Sequence, residues 1–187
     1  SKVRVAYTAG EAIGPDIFTF YRSLGLNLKQ MYASTEASVF ITIHPDGDVR
    51  PETSGTPAID VEVKIADDGE ILARGPNVMV GYYNNPDATA RSKIAHGASI
   101  RHRMGDVGYL DATGRLWFCG RKAHRVVTRT GTLFTVPCEA IFNQHPRVFR
   151  SALVGVGEAG RQIPAICIQL EDDDTGFDQD LLTRELL

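Results

Sequence analysis

A short, largely apolar run from Leu26 to Met31 ends directly in Tyr32-Ala33-Ser34-Thr35-Glu36. Such a run reads as a buried strand, and its carboxyl end then presents an aromatic face, a hydroxyl and a carboxylate within five residues. Open α/β sheets bind ligands at strand ends of this kind. A flat ring can stack on a base, a hydroxyl can bind a phosphate oxygen, and a carboxylate can hold a hard divalent cation. Together these point to a nucleotide–magnesium site. Alone the signal is weak, because Tyr-x-x-Thr-Glu also occurs by chance and often merely ends a strand.

What precedes this strand fits the same picture. Val3 to Tyr7 is a β-rich run, Thr8 to Pro15 a loop, and Asp16 to Ser23 a short helix stopping near Gly25. Pro15 suits a first helical turn. This strand–loop–helix–strand unit predicts a piece of parallel sheet over residues 1–44. The texture changes after His44. Val61 to Ile65 alternates apolar and polar, Asp67-Asp68-Gly69-Glu70 is a hairpin turn, and Ile71 to Arg74 returns. Asp111 to Gly114 is a second turn, between Tyr109-Leu110 and Leu116 to Cys119. Residues 45–119 thus read as a small antiparallel, barrel-like β domain. Residues 120–125 read as a basic hinge, and 126–187 as an α+β module. In that module a hairpin precedes a helix over Pro137 to Gln144, with strands at Ala152 to Val156 and Ala165 to Leu170. The acidic stretch Glu171 to Asp174 reads as a loop, and Asp178 to Leu187 as a helix.

Composition narrows the function classes. The 187 residues are 43% hydrophobic and 23% charged, with a net charge of −3, as in ordinary globular protein. No basic stripe suggests nucleic acid, and no apolar run is long enough to span a bilayer. The opening residues read as a strand, not a signal peptide. Cys119, Cys138 and Cys167 are far apart and read as small buried hydrophobes of a reducing compartment, so the expected location is the cytoplasm. The five histidines and three cysteines offer no metal-ligand spacing.

One motif is a decoy. Gly155-Val156-Gly157-Glu158-Ala159-Gly160 fits G-x-G-x-x-G and follows a strand. A dinucleotide fingerprint must open a helix, whereas Pro164 and the run Ile166 to Leu170 predict another strand. The expectation is a tight strand–strand turn.

The chain as a whole resembles the adenylate-forming enzymes, the acyl-CoA synthetases and their relatives. Five segments carry the match, in order: Ala9 to Ala12; Tyr32 to Glu36; Gly81-Tyr82-Tyr83-Asn84-Asn85-Pro86; Gly105-Asp106-Val107-Gly108-Tyr109; and Gly120-Arg121 followed by Gly131, Pro137, Glu139 and His145-Pro146. The resemblance implies a fragment of that enzyme fold and a set of roles. Tyr32 would stack on adenine, with the backbone of Gly10, Glu11 and Ala12 lining its other side. Thr35 would touch the adenylate phosphate and Glu36 would hold Mg2+. Asp106 would accept from both ribose hydroxyls, and Arg121 would bond the ribose or phosphate. The cofactors implied are ATP or AMP and Mg2+, with CoA in one of two branches. Outside the family pattern, Asp106 reads as a turn cap and Arg121 as a surface linker residue.

The match has departures. It covers the middle of such an enzyme, without the glycine-rich phosphate loop or the C-terminal lysine. The chain by itself is therefore expected to adenylate poorly. Lys122-Ala123 after Arg121 departs from the usual hinge, and Ala33 stands in place of a glycine. Residues 1–92 look like long-chain fatty acyl-CoA synthetases. Residues 93–187 look like bacterial β-lactone synthetases of olefin biosynthesis, through Arg103 to Asp106, Trp117 to Arg125 and Phe134 to Asn143. The implied substrate is a fatty acid or a β-hydroxy fatty acid, and the implied partner is the remainder of the enzyme. The competing expectation is a non-catalytic nucleotide-binding or structural remnant that needs a partner chain.

Overall fold

The computed structural model describes residues 2–10, 13–96 and 99–171, together with 180, 183 and 184. The chain divides into two units, Ser1–Phe118 and Cys119–Leu187. The first opens with β1 (Ala6–Thr8), α1 (Pro15–Ser23) and β2 (Leu28–Tyr32). Strands β1 and β2 are parallel, with Ala6 opposite Leu28 and Thr8 opposite Gln30, as the strand–loop–helix–strand pattern predicts. Both strands therefore end at the same edge of the sheet. Gly14, at φ 84°, turns the chain into α1, and Pro15 occupies the first turn, where its missing N–H costs nothing. Asp16 in the first turn and Arg22 in the last complement the helix dipole. Arg22 also donates to the Leu28 carbonyl at 2.6 Å, tying the helix end to β2. Phe18 is the residue α1 buries, and its ring meets His44 edge-on with centroids 5.6 Å apart.

After a 3-10 turn at Thr35–Ala37, β3 (Thr42–Ile43) and β4 (Thr56–Pro57) extend the sheet in antiparallel fashion, in the order β1-β2-β3-β4. His44 knits this region together. Its Nδ1 accepts from the Gln30 N–H at 3.1 Å, and its Nε2 lies 2.8 Å from the Thr53 carbonyl, so Nε2 carries the proton. Burial pushes the His44 pKa below its ordinary 6.5. The unfolded chain then takes up the proton first, so stability is lost as pH falls through about 6.5. Thermal melts between neutral pH and mild acid are expected to show this slope, and His44→Gln is expected to reduce it, leaving the share of His102, whose pKa burial also lowers. An unchanged slope in the variant would assign the effect to another group.

A second sheet follows, built from β5 (Glu62–Ile65), β6 (Glu70–Arg74), β7 (Lys93–His96), β8 (Ser99–Leu110) and β9 (Leu116–Arg121), with α2 (Pro86–Ser92) before β7. Its order is β5-β6-β8-β7, with β9 also on β8. The hairpins predicted around Asp67–Glu70 and Asp111–Gly114 are both present. The barrel-like expectation is corrected: this is an open sheet. No pairing among the described residues closes β5 onto another strand. Strand β5 points Glu62 and Lys64 to solvent, the charged dressing of a sheet edge. Tyr32, Ala37, Ile41, Val61, Val63, Ile71, Ala73, Met104 and Leu116 form the core of this unit, joining both sheets beneath the end of β2.

The second unit contains a small hairpin, β10 (Val126–Val127) with β11 (Thr132–Leu133), then α3 (Thr135–Phe142) and the antiparallel pair β12 (Val148–Val156) and β13 (Ile163–Leu170). Helix α3 starts two residues before Pro137, which falls within its first turn, where proline is tolerated. The glycine string lies in the β12–β13 turn, with Val156 opposite Ile163, so it opens no helix. Gly157 and Gly160 carry the positive φ values, 100° and 87°, that this turn requires. Cys119 is buried as expected, but Cys138 is half-buried and Cys167 is exposed. Alternation along a two-stranded ribbon turns Cys167 outward. Asp172 to Asp174 and most of the helix expected over Asp178–Leu187 lie outside the described residues. No helix among the described residues is long and apolar enough to cross a membrane.

Candidate functional site

The site is built where β2 runs out. Gly10 and Tyr32 each lie two residues beyond the paired Thr8 and Gln30, so the loops that follow β1 and β2 leave the sheet side by side. Gly10 is exposed at φ 93°, a conformation that favours glycine; Glu11 and Ala12 lie outside the described residues. The Tyr32 hydroxyl donates to Asp106 Oδ2 at 2.5 Å, with the tyrosine 8% and the aspartate 5% exposed. The Tyr32 ring lies against Phe118, centroids 5.8 Å apart. Two residues singled out from separate motifs, 74 positions apart, therefore meet in one short hydrogen bond.

Glu36 sits in the 3-10 turn after β2, half-buried, while Thr35 beside it is exposed. A hydrogen bond from its own main-chain N–H holds the Glu36 carboxyl below the usual carboxylate range. Burial opposes this, and the bond from Tyr82 reinforces it. The carboxylate is thus charged near neutral pH. A strap formed by the chain between β6 and α2 fixes the turn that carries it. Asn77 Nδ2 donates to the Ala37 and Phe40 carbonyls, each at 2.7 Å. Met79 N donates to the Glu36 carbonyl at 2.8 Å, and the Tyr82 hydroxyl donates to Glu36 Oε1 at 3.1 Å. Lys93 Nζ in turn donates to the Met79 carbonyl, anchoring the strap to β7. The strap has strain to contain: Ser38 and Val39, just past Glu36, sit at φ 46° and 80°, and a β-branched residue rarely adopts the latter.

His102 on β8 is 3% exposed and sits opposite Ala73 of the core. Burial, and then the charge of Lys93, push its pKa below the ordinary value, while Glu36 pulls the other way. Lys93 is itself shifted down by burial. Arg121, at the end of β9, is exposed and belongs to the second unit.

Sequence reasoning therefore named Tyr32, Glu36 and Asp106 but missed what braces the Glu36 turn: Asn77, Lys93 and the hydroxyl of Tyr82. The signal for Tyr82 was its place in the Gly-Tyr-x-x-x-Pro segment. For the others no local signal exists, because their partners come from elements far away in sequence.

A magnesium ion needs oxygen ligands, and it is commonly held by one or two carboxylates plus substrate phosphates. No group of three or more His, Cys, Asp or Glu among the described residues could hold a metal by itself. The ionised, braced carboxylate of Glu36 fits the lesser role of a single ligand.

Known proteins share this fold and these segments. The family described as "AMP-binding enzyme" matches residues 1–83, and the chain belongs to the AMP-binding, adenylate-forming superfamily. Within it, the chain is 54% identical over 108 residues to the olefin beta-lactone synthetase of Xanthomonas campestris pv. campestris, a match covering 55% of this chain and 19% of that protein. It is 33% identical over 153 residues to the long-chain-fatty-acid–CoA ligase FadD15 of Mycobacterium bovis, covering 81% of this chain and 25% of that one. The solved structure of ATP-bound MatB from Rhodopseudomonas palustris superposes with a TM-score of 0.85 at 23% identity, covering 98% of this chain and 38% of that one, which shows the fold. The chain thus spans well under half the length of these proteins.

Proposed function

We propose that this chain carries the adenosine side of an ATP-dependent ligase that activates a long-chain carboxylic acid. The observation that carries the reading is the Tyr32–Asp106 hydrogen bond, which joins the adenine-side and ribose-side motifs at the end of β2. In the proposed reaction the substrate carboxylate attacks the α-phosphorus of ATP, pyrophosphate leaves, and an acyl-adenylate forms. In the second step the substrate's own β-hydroxyl attacks the acyl carbon, AMP leaves with the bonding electrons, and the hydroxyl proton passes to solvent. A four-membered lactone closes, and intramolecular attack favours it by proximity. The higher identity to the olefin beta-lactone synthetase favours this branch over attack by the thiol of CoA, which would give a thioester.

The chain's own groups bind and orient. Asp106 receives the ribose hydroxyls, Tyr32 flanks the base across from the turn at Gly10, and Thr35 meets the phosphate. Arg121 is the proposed second ribose or phosphate contact. Magnesium, held by Glu36, would offset phosphate charge. Three cysteines without disulfides suit a reducing cytoplasm.

Isothermal titration with a non-hydrolysable acyl-adenylate analogue tests the reading. One-to-one binding, strengthened by Mg2+, is the expected result. No heat of binding from a folded chain would overturn it.

A further inference from the structure

Strand β8 does not run regularly past β6. Leu72 opposes Arg103 and Glu70 opposes Val107, so two residues of β6 span four of β8. The surplus is held as a bulge around Gly105, at φ 68°. Relative to a regular ladder, it draws Asp106 back along the strand by two positions, about 7 Å.

One buried carboxylate fastens that bulge. Glu70 is 3% exposed. Its Oε2 accepts from Arg103 Nε at 3.0 Å and Nη2 at 2.7 Å, and its Oε1 accepts from the Gly105 N–H at 3.3 Å. The next residue is Asp106, bonded to Tyr32. Glu70 is buried but the Arg103 side chain is 38% exposed, so the ion pair by itself is weak evidence for stability. An apolar pair could not hold a guanidinium and a bulge N–H at once. That double grip fixes geometry.

We propose that Glu70 and Arg103 are positioning residues, locking the Gly105 bulge so that Asp106 is presented to the ribose diol of an adenylate. The ribose part rests on the nucleotide reading above; the grip on Asp106 does not.

The experiment has two readouts on the full chain. The first is the NMR signal of the Tyr32 ring in carbon-labelled tyrosine samples, assigned with Tyr32→Phe. Glu70→Gln is expected to move this signal toward that of solvent-exposed tyrosines. The second is the affinity for AMP against its dideoxy analogue, which lacks both ribose hydroxyls. The unmodified chain is expected to prefer AMP by about 10-fold or more, and Glu70→Gln to bring that ratio near unity with affinity for the analogue unchanged. A residue with only a structural role would lower both affinities together. An unmoved Tyr32 signal with an unchanged ratio overturns the proposal. A chain that binds neither nucleotide overturns the ribose reading, and the Tyr32 signal then decides the grip alone. Should Glu70→Gln fail to fold, Arg103→Gln, whose side chain is half-exposed, carries both readouts.

Discussion

Gly55→Ala is expected to cost the first unit about 2–5 kcal/mol, enough to leave a domain of ordinary stability marginal. Two costs combine. Gly55 sits at φ 79°, where an L side chain is strained by about 1–2 kcal/mol. A Cβ there would also stand 2.1 Å from the Ile43 carbonyl carbon and 2.4 Å from the His44 nitrogen. Both are backbone atoms, so no side chain can swing aside. Neither can the segment drift, because Leu116 N donates to the Gly55 carbonyl at 2.8 Å and Ser54 N donates to the Leu116 carbonyl at 2.9 Å. Gly69→Ala is the control. Gly69 has a similar φ of 83° but nothing within 4 Å of the added carbon, so only the conformational cost of about 1–2 kcal/mol should appear. Denaturant titration of the two variants checks this, and equal losses would refute the packing argument.

The second large effect is on ligand affinity. Asp106→Ala is expected to weaken binding of an acyl-adenylate analogue about 100-fold. Two hydrogen bonds to a charged acceptor, at about 1.5 kcal/mol or more each, amount to roughly two decades. The same change strands the buried Tyr32 hydroxyl, so some stability is lost as well. Tyr32→Phe separates the two contributions, since it keeps the carboxylate and removes only its donor. It is expected to weaken binding by about 5–10-fold, the worth of one net hydrogen bond. Isothermal titration of both variants measures this. A loss below about 3-fold for Asp106→Ala would remove that residue from the site.

The parts of this fold legible in the sequence are those whose signals are local. Pro15 and Gly14 announce α1, Asp67 to Glu70 announces the β5–β6 hairpin, and Pro164 denies the glycine string a helix. Strand β8 announced itself poorly. Its middle reads Arg101-His102-Arg103, which no apolar alternation explains. The arginines are tolerated there because Arg101 Nη2 bonds Glu62 Oε2 at 2.6 Å and Arg103 bonds Glu70, both from strands some 30–40 residues earlier. The open sheet was misread for a related reason: short alternating strands look the same whether or not their outer edges meet. The site was legible as residue names. That Tyr32 bonds Asp106, or that Tyr82 reaches Glu36, depends on tertiary registration that spacing alone does not encode.

The bulge at Gly105 also sets which changes of chain length this protein can accept. Removing one residue between Arg103 and Val107 would invert the facing of everything beyond the cut and turn the aspartate away from Tyr32. Removing two would restore a regular ladder with the facing and register beyond it unchanged, yet take away the bulge N–H that Glu70 grips. Insertions and deletions should therefore be tolerated in the turn at Asp111–Gly114 and excluded from the few residues before it. The motif is as much a count of residues as a choice of them.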